Sequence, residues 1–251
     1  MAKSEWMYGI HTVSAILSRY PERVLEVRFQ EGRTDKRLSA LVDQVTELGL
    51  GCSWLPRHKL DQQLGGNHQG VLARCRLAQP LLESDLFELL SRKDGNILLL
   101  VLDEVTDPHN LGACLRSADA AGVDAVVTTR DKAVGLTPVV RRVAVGAAET
   151  VPFVQVTNLA RTLKKLVEAG VWIVGAAVDD QAKSIYDVDL KGNIALVMGA
   201  EGKGLRRLTQ SHCDHLTYIP MSGAVESLNV SVATGICLFE AVRQRALKYL
   251  S

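Results

Sequence analysis

Hydrophobic positions along the 251-residue chain fall into two textures. In residues 5–77 they alternate with polar positions or recur at helical spacing. Tyr8 to Ser18 predicts a helix with Ile10, Val13, Ile16 and Leu17 on one face. Leu25 to Phe29 alternates as a strand does. Leu38 to Leu48 predicts an amphipathic helix, ended by Gly49 and Gly51. Gly51–Leu55 predicts a short strand, Arg57–Leu64 a short helix and Val71–Leu77 a closing strand, with Gly65-Gly66-Asn67 as a turn. From Ile97 onward, continuous apolar runs alternate with helical patterns. The runs are Ile97–Leu102, Ala125–Thr129, Pro152–Val156, Trp172–Ala176, Ile194–Gly199 and Leu216–Pro220. The helical patterns are Leu111–Ala121, Pro138–Ala147, Leu159–Ala169, Leu205–His212 and a long Val230–Leu247. Apolar strands alternating with helices predict a parallel sheet covered on both faces. Between the two textures, Gln79 to Asn96 holds Pro80, a polar helix and the turn Asp94-Gly95-Asn96. The expectation is an α/β chain with domains at 1–78 and 97–251, joined by a linker at 79–96.

Composition narrows the class. Hydrophobic residues make up 47% and charged residues 23%, which excludes a disordered chain, a collagen-like fibre and a disulfide scaffold. No apolar run approaches the roughly 18 residues that a membrane span needs. The start, MAKSEWMYGIH, has no apolar core of a signal peptide, so a cytoplasmic protein with no membrane partner is expected. Net charge is +1, so any basic patch must be local. Arg141-Arg142 and Lys203 with Arg206-Arg207 are the candidates. The five cysteines form no CxxC pair and read as reduced, mostly buried thiols.

Three segments carry candidate chemistry. In the first, Leu102-Asp103 ends a strand, and Asn110-Leu111-Gly112-Ala113-Cys114-Leu115-Arg116 opens a helix. Ligands of parallel sheets bind at such carboxyl ends. Asn110 suits the N-cap region. Gly112 lies four residues before Arg116 on the same helix face, so its missing side chain leaves room for the guanidinium to reach an anion at the helix start. The same residues also read as a capped helix with a solvated Arg116. The second segment is Met198-Gly199-Ala200-Glu201-Gly202-Lys203-Gly204. It is neither a Walker loop nor a Rossmann GxGxxG, because Gly204 follows Lys203 and the glycine order is G-x-x-G-x-G. Its glycines permit close backbone approach to a ligand, and Glu201 disfavours a phosphate there. A tight turn with an exposed glutamate is the alternative. The third runs from Ile219-Pro220-Met221 to Ser227-Leu228-Asn229, where Ser227 and Asn229 are good capping types for the last helix. Gly235 inside that helix suggests close packing of another backbone, from this chain or a partner subunit. His212-Cys213-Asp214-His215 matches no usual metal-ligand spacing, so no metal is expected. Cys114 has no evident catalytic partner.

Taken together and in this order, N-x-G-x-x-x-R, M-G-x-E-x-x-G and I-P-M…S-L-N-V-S-x-A resemble the motifs of the SpoU (TrmH) family of RNA 2′-O-ribose methyltransferases. Asn67-His68-Gln69-Gly70-Val71 resembles the end of that family's small ribosomal-L30e-like substrate-binding domain. The resemblance implies a SPOUT catalytic domain with a C-terminal deep trefoil knot and a homodimer formed through the knotted domains. It implies S-adenosylmethionine held by backbone around Met198, Gly199, Ile219, Met221 and Leu228. It implies catalytic roles for Arg116, Asn110, Glu201, Ser227 and Asn229. Arg116 would stabilise the attacking ribose oxygen, Asn110 would position Arg116 or the ribose, and Glu201 would orient the arginine. The likeness extends most fully to members that methylate a guanosine ribose in the P loop of 23S rRNA. A tRNA-modifying enzyme of the family and a non-catalytic RNA-binding protein on the same fold are the alternatives. One departure stands out. Val145 precedes Gly146-Ala147 where many members carry a serine.

Overall fold

The computed structural model describes residues 4–33, 35–64, 68–177, 179–200 and 202–246. The turn expected at Gly65-Gly66-Asn67 and the candidate Glu201 lie outside them. The chain divides into two compact units, Met1–Ala78 and Gln79–Ser251.

The first unit runs β1 (Ser4–Tyr8), α1 (Ile10–Arg19), β2 (Val24–Gln30), α2 (Lys36–Glu47), β3 (Cys52–Leu55), α3 (Arg57–Leu64) and β4 (Val71–Arg76). Its sheet has the order β1-β4-β2-β3, with β2 and β3 parallel and the other pairs antiparallel. The apolar face of α1 (Val13, Ile16, Leu17) and that of α2 (Leu38, Leu41, Val45) close over Val27, Phe29, Val71 and Ala73. Asp35 caps α2 by accepting a hydrogen bond from the Leu38 amide. The sequence pattern did not reveal β1, whose five residues are all at least partly exposed and show no alternation. Gly9, at φ 89°, turns the chain from β1 into α1.

The second unit begins with α4 (Glu83–Ser91) and β5 (Leu98–Asp103), followed by α5 (Pro108–Ala120), β6 (Ala125–Thr129), α6 (Pro138–Ala144), α7 (Ala147–Thr150) and β7 (Phe153–Val156). It continues with α8 (Leu159–Glu168), β8 (Trp172–Ala176), β9 (Lys183–Ser184), β10 (Ile194–Gly199), α9 (Arg207–Gln210), β11 (His215–Tyr218) and α10 (Val230–Ala246). Seven strands form one parallel sheet in the order β7-β6-β5-β10-β8-β11-β9. Strand β5, interior to the sheet between β6 and β10, explains the two-faced cover. Leu98, Leu100 and Leu102 of β5 point into one core with Leu111, Leu115 and Leu238. Leu99 and Val101 point into the other, with Leu86, Leu163 and Leu166.

Three expectations are corrected. The segment read as a linker belongs to the second unit. Leu81 exchanges backbone hydrogen bonds with Phe153 and Gln155 on β7, and Glu83 accepts from Thr162 and Lys165 on α8. The helix expected over Pro138–Ala147 is two helices. Val145 (φ 51°) and Gly146 (φ 93°) are both left-handed and break it. The helix expected over Leu205–His212 shrinks to Arg207–Gln210, because Leu205 is buried in a core and Arg206 is extended, with its amide bonded elsewhere.

All five cysteines are thiols outside any disulfide. Cys52 is exposed, while Cys75, Cys114 and Cys237 are buried. Burial pushes the Cys237 thiol up to about 12 and the Cys75 thiol to about 11. The run His212 to His215 serves separate contacts. The His212 ring meets the Leu208 carbonyl, the Cys213 thiol donates to the Thr209 carbonyl, Asp214 accepts from the Ile173 amide, and His215 stacks on Trp172. Among the described residues no group of three His, Cys, Asp or Glu side chains is placed to hold a metal ion.

Candidate active site

The sheet order reverses at β5. From there the chain first adds β6 and β7 on one side, and β10 lies against β5 on the other. Such a switch point opens a crevice at the carboxyl ends of the strands. The first and third motifs converge there. Asp107 is the N-cap of α5, accepting from the amides of His109 and Asn110, with Pro108 at the first helical position. Asn110, expected as the cap itself, lies three residues into the helix and has another partner. Its buried side-chain oxygen accepts a 2.9 Å hydrogen bond from the Asn229 amide group. Asn229 in turn accepts from the amide and hydroxyl of Ser231 and so caps α10. Two asparagines 119 positions apart thus tie together the first turns of two helices.

Arg116 is exposed on α5. It lies six positions past Asn110, which places it roughly 9 Å further along the axis and about 120° around the helix. Gly112 is small for a different reason from the one expected. A Cβ there would lie 2.6 Å from the Val143 Cβ and 2.9 Å from the Val140 carbonyl oxygen. Its missing side chain admits α6, not the guanidinium. Gly235 is not crowded by its own chain, the nearest atom to a Cβ being the Ser117 hydroxyl at 3.7 Å. Ser227 is exposed in the loop before α10, and Leu228 is half-buried.

The second motif forms a cradle at the end of β10. Met198 is buried, and a Cβ on Gly199 would overlap Gly204, whose carbonyl carbon would be 2.1 Å away. The loop folds back on itself, with the Gly204 amide donating to the Ala200 carbonyl at 2.9 Å. Gly202 (φ 73°) and Gly204 (φ 63°) occupy the left-handed region that the fold-back requires. Ile219 packs half-buried against the core just past β11, and Met221 is exposed beyond it. Strands β10 and β11 flank β8, so the two apolar edges stand about 10 Å apart. A tight backbone loop offers main-chain groups to the edge of a ligand, and apolar side chains beside it offer a surface for a flat ring.

Two basic side chains expected to meet RNA are already engaged. Arg141 forms an ion pair with the buried Glu149, bridging α6 and α7. Arg206 forms one with the fully buried Asp103. Neither carboxylate was singled out from the sequence as a partner. The available signal for Asp103 was an acid ending the most apolar strand of the chain.

In the first unit, a hollow of about 460 Å³ is lined by His11, Arg33, Lys36, Arg37 and Gln69, with Asp35 as its acid. Another of about 350 Å³ is lined by Arg28, Lys59, Ser53, Gln62 and Gln63.

A sequence profile described as "SpoU rRNA Methylase family" matches residues 97–239. The chain belongs to the SpoU rRNA methylase family. A second profile, "RNA 2'-O ribose methyltransferase substrate binding", matches residues 6–81. Similarity to RlmB enzymes extends over nearly the whole chain. The chain is 56% identical to the 23S rRNA (guanosine-2'-O-)-methyltransferase RlmB of Haemophilus influenzae, covering 96% of this chain and 98% of that one. It is 53% identical to the RlmB of Pseudomonas putida, covering 99% and 100%. Among solved structures, the SpoU methyltransferase AviRb of Streptomyces viridochromogenes, in complex with AdoMet, shares the fold. Its TM-score is 0.70 at 24% identity, covering 97% of this chain and 91% of that one. The TrmH/SpoU tRNA-modifying enzyme of A. aeolicus is 31% identical with a TM-score of 0.58, covering 66% and 84%.

Proposed function

We propose that this protein transfers a methyl group from S-adenosylmethionine to the 2′-hydroxyl of a guanosine ribose in the P loop of 23S rRNA. The observation that carries the proposal is the 53–56% identity to RlmB enzymes over essentially the whole chain, both units included. The backbone around Met198, Gly199, Ile219, Met221 and Leu228 would hold S-adenosylmethionine, which supplies an electrophilic methyl group when bound. The residues of the chain do the rest.

A ribose hydroxyl is a poor nucleophile until its developing negative charge is stabilised. A guanidinium remains cationic at neutral pH and presents a planar fork to oxyanions. Arg116 therefore stabilises the ribose oxygen as its proton leaves and clamps the neighbouring phosphate. A phosphate oxygen or water takes the proton. Asn110, held by Asn229, fixes the start of α5 and with it the approach of the ribose. Glu201 orients the arginine, and Ser227 lines the same pocket. The basic hollows of the first unit suit RNA phosphates, which supports a gripping role for residues 6–81. The placing of β10 and β11 between earlier strands supports a knotted C-terminal half. Among the described residues no helix is long and apolar enough to cross a membrane, which suits work in the cytoplasm.

The deciding experiment is methyl transfer from labelled S-adenosylmethionine to a 23S domain V transcript, 16S rRNA and bulk tRNA, with Arg116→Ala as the blank. Label on domain V alone, absent in the blank, is expected. Label on tRNA overturns the substrate, and no binding of S-adenosylmethionine overturns the enzyme reading.

The second unit also exposes Val139, Val145, Val232 and Phe239. These apolar side chains suit a second copy of the chain, giving a homodimer through the catalytic units. Sedimentation equilibrium should return twice the 27.3 kDa chain mass. A single monomeric species at micromolar concentration overturns the dimer.

A further inference from the structure

The chain between Gly199 and Arg206 is closed into a ring by one residue. In the β5–β10 ladder, Gly199 is the register partner of Asp103. Seven residues later the chain returns to the same residue, now at its side-chain carboxylate. The Arg206 amide donates to Asp103 Oδ2 at 3.1 Å, its Nε donates to Oδ1 at 2.7 Å, and its Nη2 lies 2.6 Å from Oδ1. Asp103 is fully buried, while the Arg206 side chain is 42% exposed. The neighbouring Glu104 sits in the left-handed region at φ 59° and places its Oε1 3.2 Å from Arg206 Nη1. A non-glycine residue held there is strained, and the surrounding contacts must hold it. Leu205, buried in the core beneath, fixes the residue before the clasp.

We infer that Asp103 is a positioning residue that, through Arg206, presets the 199–206 loop in the shape that receives S-adenosylmethionine. The inference rests on the functional reading above. A loop containing Gly202 and Gly204 has many conformations available when only one end is tied. Tying both ends to one residue, the first through the strand ladder and the second through its buried carboxylate, removes that freedom before the ligand arrives, so less affinity is lost in ordering the loop. The glycines give the loop its close approach, and the clasp keeps it from spreading. A buried carboxylate paired in this way adds little net stability, and its role here is to hold one arrangement of the loop.

Asp103→Asn keeps the side-chain shape and a carbonyl acceptor but removes the charge. Arg206→Lys keeps a cation but loses the fork and so falls between it and the native protein. In Asp103→Asn, amide hydrogen exchange across residues 200–206 of the ligand-free protein should rise ten-fold or more, with β5, β6 and β10 unchanged. The KM for S-adenosylmethionine should rise ten-fold or more, with affinity for domain V RNA within two-fold of native. Unchanged exchange in the loop overturns the clasp. Exchange raised equally through β5, β6 and β10 reduces Asp103 to a structural residue and overturns the positioning role. Raised loop exchange with an unchanged KM overturns the link to the cofactor. Exchange is read without cofactor, so a native protein that fails to bind S-adenosylmethionine would remove the functional reading and the cofactor link while leaving the exchange result to judge the clasp.

Discussion

Replacing Arg116 by lysine should lower kcat for methyl transfer by about a hundred-fold or more, a loss of the size seen when one oxyanion-stabilising donor is removed. The charge is kept, so a role limited to long-range attraction for RNA predicts little change. What lysine lacks is the planar fork, which engages an oxygen and the adjacent phosphate together. Arg116 is exposed at the edge of α5, so the substitution does not disturb the core, and the melting temperature should stay within a few degrees of native. Single-turnover rates at saturating RNA and S-adenosylmethionine give the measurement. Turnover within three-fold of native in the lysine variant would sink the clamp role and return Arg116 to a solvated surface charge.

The second large effect is expected at Gly199. Alanine there places a methyl group 2.1 Å from the Gly204 carbonyl carbon and 2.4 Å from the Leu205 nitrogen. Both are backbone atoms of the loop that folds back over the end of β10, so no side chain can swing aside. The loop must open. Overpacking of this kind costs on the order of 1–3 kcal/mol, and here the strain falls on the proposed cofactor cradle. Affinity for S-adenosylmethionine, measured by titration calorimetry, should fall at least ten-fold while the variant remains folded. Unaltered affinity would show that the ligand does not use this loop.

How much of this could be read from the sequence depends on what each residue answers to. The parallel sheet was legible because continuous apolar strands such as Leu98–Leu102 need cover on both faces, whatever their neighbours are. Asn110 and Asn229 were legible as members of motifs, but their hydrogen bond joins positions 119 residues apart, and spacing carries no sign of it. Gly112 was recognised as a place where a side chain is not wanted, and the wrong neighbour was assigned to the space. Helical geometry names the residues on the same helix, whereas the occupant is Val143 of α6. Arg206 and Arg141 looked like open charge because an arginine in sequence shows its cation and hides its carboxylate. Asp103 and Glu149 neutralise them from other elements. The helix over residues 205–212 is shorter for the same reason, since the contacts of Arg206 with Asp103 go with an extended backbone there, and the helix starts only at Arg207. Propensity is a weak prior that a tertiary bond can override. Glu201, legible as a motif residue, lies outside the described residues.

The strand order also governs how this chain is made. The two neighbours of β8 are β10 and β11, and both follow it in sequence. As the polypeptide leaves the ribosome, β8 therefore emerges with neither hydrogen-bonding edge satisfied and waits until residues 194–218 have followed. Its apolar Ile173 and Val174 share that wait. Sequential zippering, which serves a sheet whose strands pair in order of synthesis, is closed to this half of the molecule. The sheet is completed from the inside by its last-made strands, a late and non-local event that leaves the nascent chain dependent on being kept from other unpaired edges meanwhile.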